Sequence, residues 1–392
     1  MEPGQLQTET DRNIVKNRPL SQLFSHILNE LHDLNQMIFT LHHFYAASPL
    51  KHVLPVDVRK WRDAPDGHPT VPILASRFTA LPSCTTMNWL VKVACFKLLS
   101  GMPGGASFYR YCQEHVTHSL VPNRPRVEQK INIGLQYWKW LEAHDFSSRL
   151  LQGVHLDFGT GWHPTIPLLF YSMGAREQYL FDVVPVMNSE MFLETVRTFR
   201  AVVTDPDWPH RQLLPRLPPD PVSDLIPLEK QLGSMGMSYH APYERKFGEL
   251  SCAVDVVTST QVLLHIPRGI MLQCFQRIYA SLKSGGKFLA TVYLKDLYAY
   301  VGGTSQYNHL KFSPEIWNGW INSPLMSFNR FKAPDYRELL EEAGFRIVHF
   351  EVDGPSESDM HELERIPVHA SFNRYSREEL GAKNLFFVAE KI

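Results

Sequence analysis

From residue 153 onward, short apolar runs alternate with longer amphipathic stretches, and this alternation limits the possible folds more than any other feature of the chain. Seven runs have strand character: "VHLDF" (154–158), "QYLFDVV" (178–184), "GMSYH" (236–240), "CAVDVVTS" (252–259), "GKFLATVYL" (286–294), "FRIVHFEV" (345–352) and "NLFFVAE" (384–390). Helical stretches separate most of them, among them "PTIPLLFYSMG", "PVMNSEMFLETVRTFRAV", "RGIMLQCFQRIYASL" and "PDYRELLEEAG". Strands that alternate with helices cannot pair through tight hairpins. They imply an α/β chain with a mostly parallel sheet and helices on both faces.

The region before residue 151 has a different texture. Residues 1–20 are polar and are expected to fray, and residues 21–150 read as a helical N-terminal or cap region. In "LSQLFSHILNELHDLNQMIFTLHHFY", Leu23, Ile27, Leu31 and Leu34 recur at helical spacing, and "RVEQKINIGLQYWKWLEAHD" reads as a further amphipathic helix leading into the sheet unit. Proline-bearing segments interrupt the pattern at 49–55 and 65–72. Within 151–392, a proline-rich stretch near 204–235 reads as a surface insertion and an aromatic-rich one near 295–332 as a cap.

Composition excludes several classes. The formal net charge of −1 advertises no polyanionic partner, and the cluster of Arg110, His115, His118, Arg124, Arg126 and Lys130 reads as a solvated face, so no nucleic acid is expected. Cys84, Cys95, Cys112, Cys252 and Cys274 are scattered without a CxxC pair, which points to reduced thiols in a cytoplasmic protein and to no metal site. The N-terminus lacks the apolar core of a signal peptide. "NWLVKVACFKLL" (88–99) is too short to span a bilayer and carries Lys92 and Lys97, so it is expected to bury against its own domain.

The first strand runs into "GTGWHP", where the chemistry begins. Gly159 and Gly161 remove side chains where a ligand must approach the backbone, and the helix starting near Pro164 would offer free N–H groups to an anion. In such sheets ligands bind at the carboxyl ends of the strands. Both a dinucleotide and S-adenosylmethionine suit this turn. The dinucleotide fingerprint GxGxxG has Pro164 at its last position, which cannot imitate glycine, so a nicotinamide cofactor is disfavoured. S-adenosylmethionine brings only its methionine carboxylate to the turn and tolerates a bulkier His163. That histidine either touches the carboxylate or is a helix-start residue facing solvent or Trp162. Asp182, ending the second strand, is placed to accept from two ribose hydroxyls, whereas Asp157 can order the turn by accepting backbone N–H groups.

"LDFGTGWHP", "LFDVVP", "YHAPYE", "VDVVTSTQVLLHIP" and "LKSGGKFL" together resemble the successive motifs of class I S-adenosylmethionine-dependent methyltransferases over about residues 150–392. The likeness is greatest to a bacterial-type subgroup with a "GTGWHP" turn and a downstream pattern present here as Tyr307, Asn308, Trp317, Asn329, Arg330, Asp335 and Tyr336. The resemblance implies a Rossmann-like seven-stranded fold and S-adenosylmethionine as cofactor. It implies that Asp157, Gly159 and Gly161 form the methionine-binding turn and that Asp182 binds ribose. Glu244 would accept from the adenine amino group, and Thr258 and Ser259 would line the methionine end through their backbone. Two positions depart from the pattern: His163 replaces a third glycine, and Leu264 replaces the acid commonly found before His265.

Methyl transfer to oxygen or nitrogen also needs a proton acceptor. His265, which follows the fourth strand, is the first candidate base, with a helix-start histidine bonded to backbone as its bland alternative. His309, beside Tyr307 and Asn308, is the second. The aromatic residues of 293–332 are expected mostly to form the core of the cap, with Gly302 and Gly303 as hinges. The resulting expectation is a methyltransferase acting on a small metabolite or glycan precursor. The alternatives are a catalytically silent cofactor-binding protein acting through a partner surface, or a protein or RNA methyltransferase. Oligomeric state stays open.

Overall fold

The computed structural model describes residues 89–115, 119–221, 225–301 and 304–392. The expectations for residues 1–20, for the helical pattern of 21–88 and for the Gly302–Gly303 hinge lie outside the described residues.

Each of the seven apolar runs forms a strand of one sheet: β1 (Val154–Phe158), β2 (Glu177–Phe181), β3 (Met237–His240), β4 (Val254–Thr260), β5 (Leu282–Tyr293), β6 (Phe345–Asp353) and β7 (Asn384–Lys391). Their order is β3-β2-β1-β4-β5-β7-β6. Pairing is parallel from β3 through β5, and β7 runs antiparallel between β5 and β6. The chain therefore has the Rossmann-like α/β fold, a mixed but mostly parallel sheet flanked by helices. β1 lies between β2 and β4 and β4 between β1 and β5, so both read as continuous apolar runs and not as alternating ones. At the antiparallel edge, Glu390 of β7 pairs with Lys287 of β5 (3.2 Å) and Arg346 of β6 (2.6 Å), marking the register of all three strands with one carboxylate.

Helix Arg124–Ala143 packs in the same core as the sheet. Its Val127, Ile131, Tyr137 and Leu141 are buried with Leu168, Leu169, Phe199 and Val256. Gly134 lets it close on helix Thr165–Met173, since a Cβ there would lie 2.7 Å from Leu169 Cδ2. The Tyr137 hydroxyl reaches Ser259 O (3.1 Å), Thr260 Oγ1 (3.0 Å) and Thr291 Oγ1 (3.1 Å), tying this helix to the carboxyl ends of β4 and β5.

The stretch read as a surface insertion at 204–235 is less detached than its prolines suggest. Trp208, Leu213, Leu214 and Leu217 pack back on the core, and Arg216 donates to Tyr171 O (2.7 Å) and Ala175 O while lying over the Tyr171 ring. After β5, residues 294–301 and 304–332 carry a cap segment in which Tyr298, Tyr307, Phe312, Trp317, Phe328 and Phe331 are buried. The apolar face of helix Trp89–Gly101 covers it, with Trp89 against Tyr298 and Phe312 and Phe96 against Tyr298. Among the described residues no helix is long and apolar enough to cross a membrane.

Candidate active site at the carboxyl ends of β1, β2 and β4

The glycine turn follows β1 directly. Gly159 (φ 82°) and Gly161 (φ 70°) both occupy the left-handed region, yet their surroundings differ. A Cβ on Gly159 would lie 2.4 Å from Val262, so this glycine is required by the close approach of the segment after β4. A Cβ on Gly161 would meet nothing within 4 Å. The first glycine closes the fold and the second keeps a space open.

Asp182, just beyond β2, crosses to this turn. Its Oδ2 accepts from Gly161 N (2.8 Å) and its Oδ1 from Val183 N (2.8 Å). A carboxylate has about four acceptor positions, so with the Val184 amide also directed at Asp182 at least one remains for a ligand hydroxyl. Asp157 is buried, and its Oδ1 accepts from the Thr258 hydroxyl of β4 (2.7 Å). The same hydroxyl lies 2.9 Å from His155 Nε2, whose Nδ1 is 2.9 Å from Gln178 Oε1, so one polar chain links β2, β1 and β4 beneath the turn. Burial raises the pKa of Asp157 and of Asp182, opposed at Asp157 by the Thr258 hydroxyl and at Asp182 by the Gly161 and Val183 amides.

Lys130 supplies the positive charge. It comes from helix Arg124–Ala143, donates to His163 O (3.2 Å), and sits in the field of both Asp157 and Asp182. Burial lowers its pKa, and the two carboxylates oppose the shift. Sequence reading placed this lysine on a solvated face. The available signal was periodicity: Lys130 lies on the stripe of Val127, Ile131, Gly134 and Tyr137, and a lone charge on a buried stripe faces something specific.

His163 is engaged elsewhere. Its Nδ1 meets Thr195 Oγ1 (2.9 Å) and its Nε2 meets Leu120 O (2.8 Å), so the ring braces the turn against helix Ser189–Val203 and the segment before Asn123. Burial, reinforced by Lys130, lowers its pKa to about 4, and it is neutral at physiological pH. Neither ring nitrogen points into the opening, so only its backbone carbonyl shapes the site. Ser259 is buried, donates to Phe158 O (2.9 Å) and lies with Thr258 at the end of β4. Glu244 opens helix Glu244–Glu249 after β3 and is exposed.

His265 ends the short turn Leu263–His265 after β4. Its Nδ1 is 2.6 Å from Ser327 O of the cap, a carbonyl that can only accept, so Nδ1 carries the proton and Nε2 is the acceptor. The ring keeps solvent exposure, and desolvation lowers its pKa more than the Ser327 bond raises it. Asn329, another cap residue, donates to Leu263 O (2.9 Å) and Ile266 O (3.0 Å), which holds the His265 turn against the cap. His309 has a different environment. It is buried among Trp317, Phe328 and Phe372, with Nε2 3.1 Å from Lys332 Nζ. Its pKa is held well below the ordinary value, first by burial and then by Lys332. None of these contacts is with the glycine turn, and the structure does not bring His309 together with the other candidates.

The described residues contain no group of His, Cys, Asp and Glu suited to a metal ion. A family model described as a methyltransferase domain matches residues 135–350. Among solved structures, a SAM-dependent methyltransferase from Methanosarcina mazei is similar at 15% identity over 61% of this chain and 92% of its own, with a TM-score of 0.33. An S-adenosylmethionine dependent methyltransferase from Mesorhizobium loti is similar at 14% identity over 60% of this chain and 90% of its own, with a TM-score of 0.31. No curated protein matches the chain in sequence. With its matched segment running from the helix that carries Tyr137 into β6, the chain belongs to the methyltransferase-domain family.

Proposed function

We propose that this protein is an S-adenosylmethionine-dependent methyltransferase acting at oxygen or nitrogen of a small metabolite or glycan precursor. The observation that carries the reading is the open space at Gly161, whose amide Asp182 holds, in a turn where Lys130 donates to His163 O and lies in the field of Asp157 and Asp182. Two acids and one base suit a ligand bearing an α-ammonium, an α-carboxylate and a ribose diol. A dinucleotide pyrophosphate would instead add negative charge between two carboxylates.

In this reading Asp182 accepts from the ribose hydroxyls and Lys130 meets the methionine carboxylate, while Asp157 backs the turn through the Thr258 and Thr160 hydroxyls and not through the turn's amides, which Phe181 O and Asp182 receive. Thr258 and Ser259 line the methionine end, and Glu244 accepts from the adenine amino group. Bound there, the cofactor supplies an electrophilic methyl group. The chain's remaining tasks are alignment, which can be worth about 7–11 kcal/mol, and removal of a proton from the accepting atom, worth roughly 10²–10⁴-fold. His265 is the proposed base, because its Nδ1 is fixed as a donor to Ser327 O and its Nε2 is left as a lone-pair acceptor.

Calorimetry with S-adenosylhomocysteine tests the cofactor, and labelled cofactor incubated with a metabolite extract tests the transfer. Saturable binding and a methylated product of low mass are expected. Tight NADH binding with no response to S-adenosylhomocysteine would overturn the reading.

A further inference from the structure

A cavity of about 770 Å³ opens between helix Trp89–Gly101, the start of helix Arg268–Ser281, the cap and the turn at 371–375. Its size lies within the roughly 300–1,000 Å³ usual for small-molecule sites. Its charged lining is one-sided: Lys97, Arg268 and Arg330 contribute cations, and among the described residues no carboxylate lines it. Ser327 is part of the same wall, and its carbonyl accepts the hydrogen bond from His265 Nδ1, so the cavity and the proposed base share a boundary.

The three cations are held in different ways. Arg330 spends Nη1 on His309 O (3.1 Å) and Phe312 O (2.7 Å) and lies over the Trp317 and Phe372 rings at 5.0 and 5.1 Å. Its Nε and Nη2 donate to no protein group among the described residues. Its backbone sits at φ 62°, a left-handed conformation that a non-glycine residue keeps only when its surroundings require it. Burial lowers its pKa to about 10, which leaves it charged at neutral pH. Lys97 Nζ donates to Gly319 O (2.9 Å). Arg268 is largely exposed and 3.7 Å from Asp335, whose carboxylate already receives Arg374, the Tyr375 hydroxyl and Lys332 N. Asp335 answers Arg268, and Glu315 and Asp296 lie in the field of Arg330, but all three acids stand behind the lining, so the wall itself presents cations and no carboxylate, and a guanidinium fork matches the two oxygens of a phosphate or carboxylate.

We propose that this cavity anchors the substrate of the methyltransferase and that the substrate is a small molecule carrying an oxyanion, a phosphate monoester or a carboxylate, held by Arg330, Arg268 and Lys97. The proposal rests on the methyltransferase reading for the word substrate, but the anion site itself does not.

The full chain is titrated with inorganic phosphate and, separately, with acetate, each with and without S-adenosylhomocysteine, and binding is followed by NMR. Saturable binding of at least one probe is expected, weakened about tenfold or more in Arg268→Gln and in Arg330→Gln while S-adenosylhomocysteine affinity is retained. The stronger probe identifies the anion class. Arg330 also supports two backbone carbonyls, so Arg268→Gln, on an exposed side chain, decides the matter if Arg330→Gln melts early. No saturable binding of either probe up to about 50 mM, or binding indifferent to Arg268→Gln, overturns the proposal. Binding of a single-stranded oligonucleotide with no saturable phosphate or acetate binding overturns it in favour of nucleic acid. If S-adenosylhomocysteine fails to bind while phosphate binds as described, the cofactor reading falls and the anion site stands.

Discussion

The two glycines of the turn can be separated by experiment because the same substitution meets different physics at each. Alanine at either position must adopt a positive φ, 82° at residue 159 and 70° at residue 161, at a cost of roughly 1–2 kcal/mol. At residue 159 the new methyl also overlaps both methyls of Val262 at 2.4 Å, and overpacking of this kind costs about 1–3 kcal/mol. Gly159→Ala should therefore lose about 2–5 kcal/mol of folding stability, the sum of those two ranges. Gly161→Ala has nothing within 4 Å to overlap and should lose only the backbone cost. Its methyl does enter the space assigned to the cofactor, where misfit of about 1–3 kcal/mol corresponds to roughly 5–150-fold in affinity. Denaturant melts would rank stability and calorimetry with S-adenosylhomocysteine would rank binding. The expected pattern is a crossed one, with Gly159→Ala less stable and Gly161→Ala folded but weak in binding. If Gly161→Ala binds like the parent, the open space is not where the ligand lies, and the assignment of the turn fails.

Asp182→Asn should weaken S-adenosylhomocysteine by about 1.5–3 kcal/mol per lost charge-assisted bond, measured by the same titration, and unchanged affinity would remove Asp182 from the ribose site. His265→Ala should cut turnover by about 10²-fold or more with little change in cofactor affinity. Since its pKa is lowered, parent activity should rise with pH through a value below the ordinary 6.5 and then level off; a variant as active per folded molecule as the parent would make the residue structural. Burial holds His155 and His163 near pKa 4 in the folded chain, whereas both return to about 6.5 when unfolded. The unfolded state then binds more protons between those values, so stability is fully present above about pH 6.5 and is lost as pH falls toward 4. Urea melts of His155→Gln and His163→Gln should show flatter acid limbs than the parent, and identical slopes would mean that neither histidine is the source.

The strands were legible because a buried strand leaves a local mark, and "VHLDF" or "VDVVTS" announces itself over five or six residues. The turn after β1 was legible for the same reason: two glycines and a proline constrain the backbone wherever the chain goes. The reach of Asp182 to Gly161 was foreseeable in kind, since an acid ending one parallel strand lies beside the turn ending its neighbour. Periodicity put Lys130 on the buried stripe of helix Arg124–Ala143, but which groups it faces was not legible, because it enters the field of Asp157 and Asp182 only after a helix from before β1 has packed across the sheet. For His163 the sequence left open a ligand contact or a helix-start residue facing solvent or Trp162, and only the packing shows both ring nitrogens at Thr195 and Leu120, 32 and 43 residues away. The antiparallel insertion of β7 and the burial of His309 beside Lys332 are of the same kind. Backbone conformation and apolar periodicity are decided within one turn or one strand, and the sequence determines them by itself. Which charge faces which carboxylate depends on contacts between distant segments, and only the packed tertiary structure, in which burial and pairing are settled together, decides it.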